Sequence, residues 1–195
     1  MARDMDRKAF LKRAGLGTVA AGSLPALLGT EGAFGAAPGS GQRAYEFVAL
    51  SQAPPTADGK LARILARGAG VFKPNAGFVH GGGTFFVFDQ NTIGLPKKIL
   101  AAGDWTPTEF RSYDTKGLPP YGTTQPAILE MVADFEGFAS GATLRVVCNV
   151  GAAGPQGQTG EEEGYELSGT PFGTFSQFSG LSYLGLEGST VDRGA

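Results

Sequence analysis

From residue 44 onward, short apolar runs alternate with clusters of Gly, Pro, Asp and Asn, and the runs carry a two-residue period. The clearest case is a pair of runs. Over 127–136, Leu129, Met131, Ala133 and Phe135 alternate with Glu130, Val132, Asp134 and Glu136. Over 142–150, Leu144, Val146, Cys148 and Val150 alternate with Thr143, Arg145, Val147 and Asn149. Successive side chains of a strand point to opposite faces, so the first set of each run belongs to a core and the second faces largely toward water. The short link over 137–141 makes the two an antiparallel hairpin. Residues 44–52 read the same way, with Tyr45, Phe47 and Ala49 on one face.

Residues 61–72 fit two periods. Leu61, Ile64, Leu65 and Gly68 suit a helix; Ala62, Ile64, Ala66, Gly68, Gly70 and Phe72 suit a strand with small inward residues. Glycine inside a helix costs about 1 kcal/mol relative to alanine, so Gly68 and Gly70 favour the strand. Residues 78–88 form a strand interrupted by Gly81-Gly82-Gly83, a mark of a bulge, a bend or close backbone approach. Strands over 98–106 and 108–114 flank Pro107. Those over 165–168, 173–178 and 181–186 complete the set. The expected fold is all-β, a single antiparallel barrel or sandwich of about 8–10 strands. The connections are too short to require a parallel crossover helix.

Composition narrows the function. Glycine supplies 32 of 195 residues, without the three-residue period of collagen. The net charge of −2 gives no footprint for nucleic acid. A single Cys excludes an internal disulfide and a Cys-rich zinc site, and a single His excludes a multi-histidine metal cluster. No cofactor or metal is expected.

The first 35 residues read as an address. Arg3, Arg7, Lys8, Lys12 and Arg13 precede an uncharged, Gly-containing run over 14–28, which is followed by small residues around Ala33-Phe34-Gly35. That order is a secretory signal. The run is shorter than the roughly 20 strongly apolar residues of a spanning helix, so no stable membrane span is expected after cleavage. Arg7-Lys8-Ala9-Phe10-Leu11-Lys12 resembles the twin-arginine (Tat) export signal. Arg7, Phe10, Leu11 and Lys12 match its pattern; Lys8 stands where a second Arg is usual, and Asp6 where Ser or Thr is usual. The resemblance implies export through the Tat translocase to an extracytoplasmic location. A Sec signal and a cytoplasmic amphipathic helix are the other readings of this segment. The expected organisation is a signal peptide over 1–35, a linker over 36–43 and one β domain over 44–195. Cleavage after Gly35 removes five basic and three acidic residues, leaving 160 residues with 11 basic and 15 acidic side chains.

Few constellations carry chemistry. His80-Gly81-Gly82-Gly83 matches the oxyanion-hole stretch of some lipases, but the chain has no Gly-x-Ser-x-Gly elbow and no second His. Cys148, between Val146 and Val150 on an inward face, reads as a small core hydrophobe. Glu161-Glu162-Glu163 offers oxygen ligands to Ca²⁺ but lacks the spacing of a calcium loop, and a solvated loop is its plainer reading. Glu130, Asp134 and Glu136 share one strand face; on a barrel interior they would suit general acid–base work.

Aromatic residues are the strongest pointer. Phe85-Phe86-Val87-Phe88 is apolar on both strand faces, and Phe85, Phe86, Phe88 and Trp105 are the candidate lining of a site for a small apolar or aromatic ligand. The expected function is that of an exported, non-catalytic ligand-binding domain. The alternatives are a cell-surface structural or interaction subunit and a small barrel enzyme of cyclase or isomerase type. The β domain resembles the small Tat-exported all-β proteins of bacteria. It shares a general outline with lipocalin-like and allene-oxide-cyclase-like barrels, a likeness of fold that confers no function.

Overall fold

The computed structural model describes residues 41–57, 59–91, 97–149 and 159–189. The export signal over 1–35, most of the linker over 36–43 and Val150 lie outside the described residues. Eight strands follow in chain order: β1 Arg43–Gln52, β2 Ala62–Lys73, β3 Phe78–Asp89, β4 Ile99–Asp114, β5 Ala127–Phe135, β6 Ala139–Cys148, β7 Gly164–Thr170 and β8 Gly173–Leu184. Each pairs antiparallel with the next, and β8 returns to β1, so the sheet closes as a barrel rather than splitting into a sandwich. Closure removes the free edges that an open sheet would expose. A single 3-10 turn, Pro74–Ala76, links β2 to β3. Among the described residues no helix is long and apolar enough to cross a membrane.

The alternation holds in β1, β5 and β6. Tyr45, Phe47 and Ala49 point inward from β1; Leu129, Met131, Ala133 and Phe135 from β5; Leu144, Val146 and Cys148 from β6. The run expected over 61–72 is strand from Ala62 onward, with Ala62, Ile64, Ala66 and Phe72 buried. Ile128 and Val147 belong to the outer face but are covered as well, in line with the preference of apolar side chains to leave water.

Two expected breaks are absent. Strand β4 runs through Pro107, joining 98–106 to 108–114. Proline lacks an N–H, and the ladder from β3 ends beside it at Gly83 and Trp105. The ladder to β5 continues through Pro107 and Ala133, with register shifts between Pro107 and Glu109 and between Phe110 and Ser112. These irregularities keep Trp105, Pro107, Phe110 and Tyr113 opposite the inward residues Phe135, Ala133, Met131 and Leu129. Strand β8 likewise joins 173–178 to 181–184, ending two residues short of the expected 181–186. Its Gly180 lies opposite Ala49, where an added Cβ would overlap the alanine methyl.

Aromatic rings fill the interior. Phe47 stacks on Trp105 at 5.6 Å and packs on Tyr165 at 5.3 Å; Trp105 stacks on Phe135 at 5.9 Å. Their room comes from glycine. Gly68 and Gly70 of β2 lie opposite Gly83 and Gly81 of β3. A Cβ at Gly68 would enter the Trp105 ring, and one at Gly70 would stand 2.7 Å from the Tyr45 hydroxyl. Gly81 and Gly82, at φ 142° and 152°, hold a conformation that side chains rarely adopt. We expect Gly83→Ala, whose Cβ would overlap the Arg67 carbonyl, to destabilise the barrel by about 3 kcal/mol. Gly137→Ala, at φ 64° with open space around it, should cost only about 1 kcal/mol. Urea unfolding of both variants checks the difference.

Candidate functional site

The barrel has two unlike ends. At one, β1 begins while β2 and β4 finish. Arg43 and Tyr45 lie on the inward-facing period of β1, and Arg43 pairs in register with Phe72 of β2. Phe110 and Tyr113 arrive from β4 by way of its bulges. Phe72 is the hub: its ring centroid lies 5.0 Å from that of Tyr113 and 6.5 Å from those of Tyr45 and Phe110. The Arg43 guanidinium carbon stands 5.2 Å from the centre of the Tyr113 ring, in cation–π range.

The polar atoms here are unusual. The hydroxyls of Tyr45 and Tyr113 are buried and have no hydrogen-bond partner. Arg43 favours the charged form of Tyr113 through its charge and through a side-chain hydrogen bond toward the phenol oxygen, which burial outweighs. Elsewhere the core is satisfied. The Tyr165 hydroxyl donates to the Ile64 carbonyl at 2.9 Å, Trp105 Nε1 to the Arg67 carbonyl at 3.0 Å, and Ser51 Oγ to the Tyr165 carbonyl at 2.6 Å. A buried hydroxyl without a partner costs about 1–3 kcal/mol, so two at one mouth are a concentrated expense. Burial raises the phenol pKa of both Tyr45 and Tyr113, and both act as neutral O–H groups.

Beside this mouth the barrel wall is completed by side chains. Strand β7 begins only at Gly164, paired with Val147, and beyond it β6 meets β8 directly. Ser182 Oγ donates to the Val147 carbonyl at 2.6 Å, and its backbone N–H donates to Glu163 Oε1 at 2.9 Å. Partial burial raises the Glu163 pKa, against the lowering effect of the Ser182 hydrogen bonds. Cys148 lies in the same seam, its thiol pushed up to about 11 by burial. Such a thiol holds little thiolate near neutral pH and is a poor nucleophile.

The sequence candidates divide. Phe85 and Trp105 are sealed in the core, whereas Phe86 is exposed on the outer face and Phe88 partly so. The four therefore line no common surface. The two-sided apolar strand has one face in the core and the other on the barrel exterior. Glu130, Asp134 and Glu136 also lie outside. Glu130 stands 4.0 Å from Arg145, and Asp134 accepts from Ser140 and Gly141. The acidic triplet is split, with Glu161 gripping Arg145 while Glu163 turns into the seam. His80 is exposed and stacks on Phe78. Among the described residues no group of three or more His, Cys, Asp or Glu is placed to hold a metal.

Sequence reasoning missed Arg43, Tyr45 and Tyr113 as a site. The available signal was the inward-facing alternation Arg43, Tyr45, Phe47, which places a cation and a phenol on a core face. No family model, curated protein or solved structure matches this chain.

The two kinds of buried phenol should respond oppositely to loss of oxygen. Tyr45→Phe removes a hydroxyl without a partner and should stabilise the protein by about 1 kcal/mol. Tyr165→Phe breaks a made bond and should destabilise it by about 1 kcal/mol. Thermal unfolding of the two variants beside the parent protein reads the sign directly.

Proposed function

We propose that this domain is a non-catalytic barrel that binds a small apolar or aromatic ligand at the Arg43, Tyr45 and Tyr113 mouth. One observation carries the reading: two buried tyrosine hydroxyls share this mouth without a hydrogen-bond partner, while other core donors are satisfied. A buried polar group without a partner calls for an explanation, and a bound ligand that supplies the partner is one. Phe110 and the Tyr113 ring, both only partly buried, supply apolar surface at that mouth.

A second reading, that of a surface subunit, draws on the outer face. Val48 and Leu181 are register neighbours, as are Leu65 and Phe86, and all four are 41–61% exposed. Native mass spectrometry of protein purified from its own host separates the two. The ligand reading expects a monomer carrying a small-molecule adduct that Tyr113→Phe weakens. An adduct-free dimer would favour the surface subunit, and an adduct-free monomer would overturn both.

Export belongs to the same proposal. The basic pair Arg7 and Lys8 ahead of Phe10, Leu11 and Lys12 supports delivery by the Tat translocase, which carries folded cargo. A closed barrel, dominated by non-local contacts that form slowly, suits that route. Replacing Arg7 and Lys8 together by Gln should leave uncleaved precursor in the cytoplasm on fractionation. Unchanged secretion would refute the Tat route.

A further inference from the structure

We infer that the outer wall formed by β8, β1, β2, β3 and the start of β4 docks on an anionic membrane surface, its exposed apolar side chains entering the interface while Arg63, Arg67, Lys97 and Lys98 meet the lipid headgroups. The patch lies on the outside of the wall, so the inference does not depend on what the mouth binds.

Apolar exposure is concentrated on this side of the barrel. Leu65, Phe86, Ile99, Phe178 and Leu181 are each 41–61% exposed. Register makes them neighbours: Leu65 pairs with Phe86, Phe88 with Ile99, and Leu181 with Val48, which is exposed as well. Among the described residues, β5, β6 and β7 expose no large apolar side chain.

Charge divides the same way. Arg63 and Arg67 stand on the outer period of β2, paired in register with Phe88 and Thr84. The Arg63 guanidinium carbon lies 4.0 Å from the centre of the Phe178 ring, and its Nε donates to Gln52 Oε1. Arg67 Nε donates to Thr84 Oγ1. Neutral partners leave both charges in place. Lys97 and Lys98 lead into β4 directly before Ile99. Of the nearby acids, Asp89 accepts from the Asn91 N–H within its own turn, and Asp104 stands at the border of the patch, opposite Thr84. The other wall is the reverse: the outer faces of β5, β6 and β7 carry Glu130, Asp134 and Glu166 against Arg145. A negatively charged surface therefore attracts one wall and repels the other, which orients the barrel.

The form of the patch selects the partner. A closed barrel offers no free edge for strand addition, and its outer wall is convex. A broad lipid surface fits such a wall better than an extended peptide does. Aliphatic and aromatic side chains interleaved with Arg and Lys suit that interface, where apolar groups reach the headgroup–acyl boundary and long basic side chains keep their charges in water.

A tryptophan reporter tests this, because the native Trp105 is sealed in the core. Phe86→Trp reports on the patch and Ser112→Trp on the acidic wall, where Ser112 pairs with Glu130. Each full-length variant is titrated with vesicles of phosphatidylcholine alone and of equimolar phosphatidylcholine and phosphatidylglycerol. On anionic vesicles the Phe86→Trp emission should shift to the blue and be quenched by chain-brominated lipid, while Ser112→Trp does neither. Neutral vesicles should change neither reporter. Adding Arg63→Gln and Arg67→Gln to the Phe86→Trp protein should weaken binding about thirtyfold, the scale of two basic residues near an anionic surface. Adding Leu65→Ser instead should weaken it about fivefold. Raised salt should weaken binding of the Phe86→Trp protein, a readout that stands even if the arginine variant fails to fold. No shift of Phe86→Trp, equal shifts at both reporters, or equal response to neutral and anionic lipid would overturn the inference. A blue shift that needs no lipid and grows with protein concentration would also overturn it, and would assign this wall to a second copy of the chain.

Discussion

The barrel depends on the fit of two large rings against a patch of bare backbone. Tyr45 and Trp105 project inward where β2 and β3 carry Gly68, Gly70, Gly81 and Gly83 instead of side chains. In a small barrel the interior is just wide enough for side chains to fill, so ring volume gained on one wall must be surrendered on the opposite one. Glycine also allows the φ values of Gly81 and Gly82 that bend β3 at this point. The cost is the loss of four side chains' worth of burial and the greater chain entropy that glycine gives up on folding. Trp105 returns some of it, stacking between Phe47 and Phe135 and donating to the Arg67 carbonyl.

The same patch governs the mouth. Tyr45 is pressed on the backbone of Gly70 and Gly81, and added Cβ atoms there would stand 2.7 and 2.6 Å from its hydroxyl oxygen. A ring held that closely has little freedom to swing its hydroxyl toward an acceptor, whereas a surface tyrosine would reach water. Packing and polarity thus pull in opposite directions on one residue. The fold fixes the ring, and the hydroxyl is left where only a ligand, a water or a small rearrangement could satisfy it.

Much of the fold was legible because closure makes one face of nearly every strand a core face, and a two-residue period then shows in the residues. The inward sets of β1, β2, β5 and β6 follow from alternation alone. Pro107 was misleading for a physical reason: proline removes one ladder bond on one side, and β5 kept the strand in place on the other. The site was harder to see. Simple alternation from Trp105 puts Phe110 outside, and only the bulges of β4 bring it in beside Phe72. Arg43, Tyr45 and Tyr113 meet through the register of strands distant in the chain, which no local pattern states. The abundance of phenylalanine drew attention to 85–88 instead, although the period that makes Phe85 a core residue must also turn Phe86 outward.

The contrast between the two ends gives the barrel a direction. At the far end, the β5–β6 and β7–β8 hairpins carry Phe138 and Phe172, whose rings lie 6.3 Å apart and close over Phe85 and Phe175. Among the described residues, that end is packed with aromatic rings and holds no buried side-chain polar atom that lacks a partner. At the mouth, the rings of Phe72, Phe110 and Tyr113 are joined by a guanidinium and two hydroxyls. Apolar contact alone could have closed both ends, and phenylalanine in place of either tyrosine would have avoided the buried oxygen. Polar groups retained at one end only are therefore better explained by what approaches from that side than by the needs of the core.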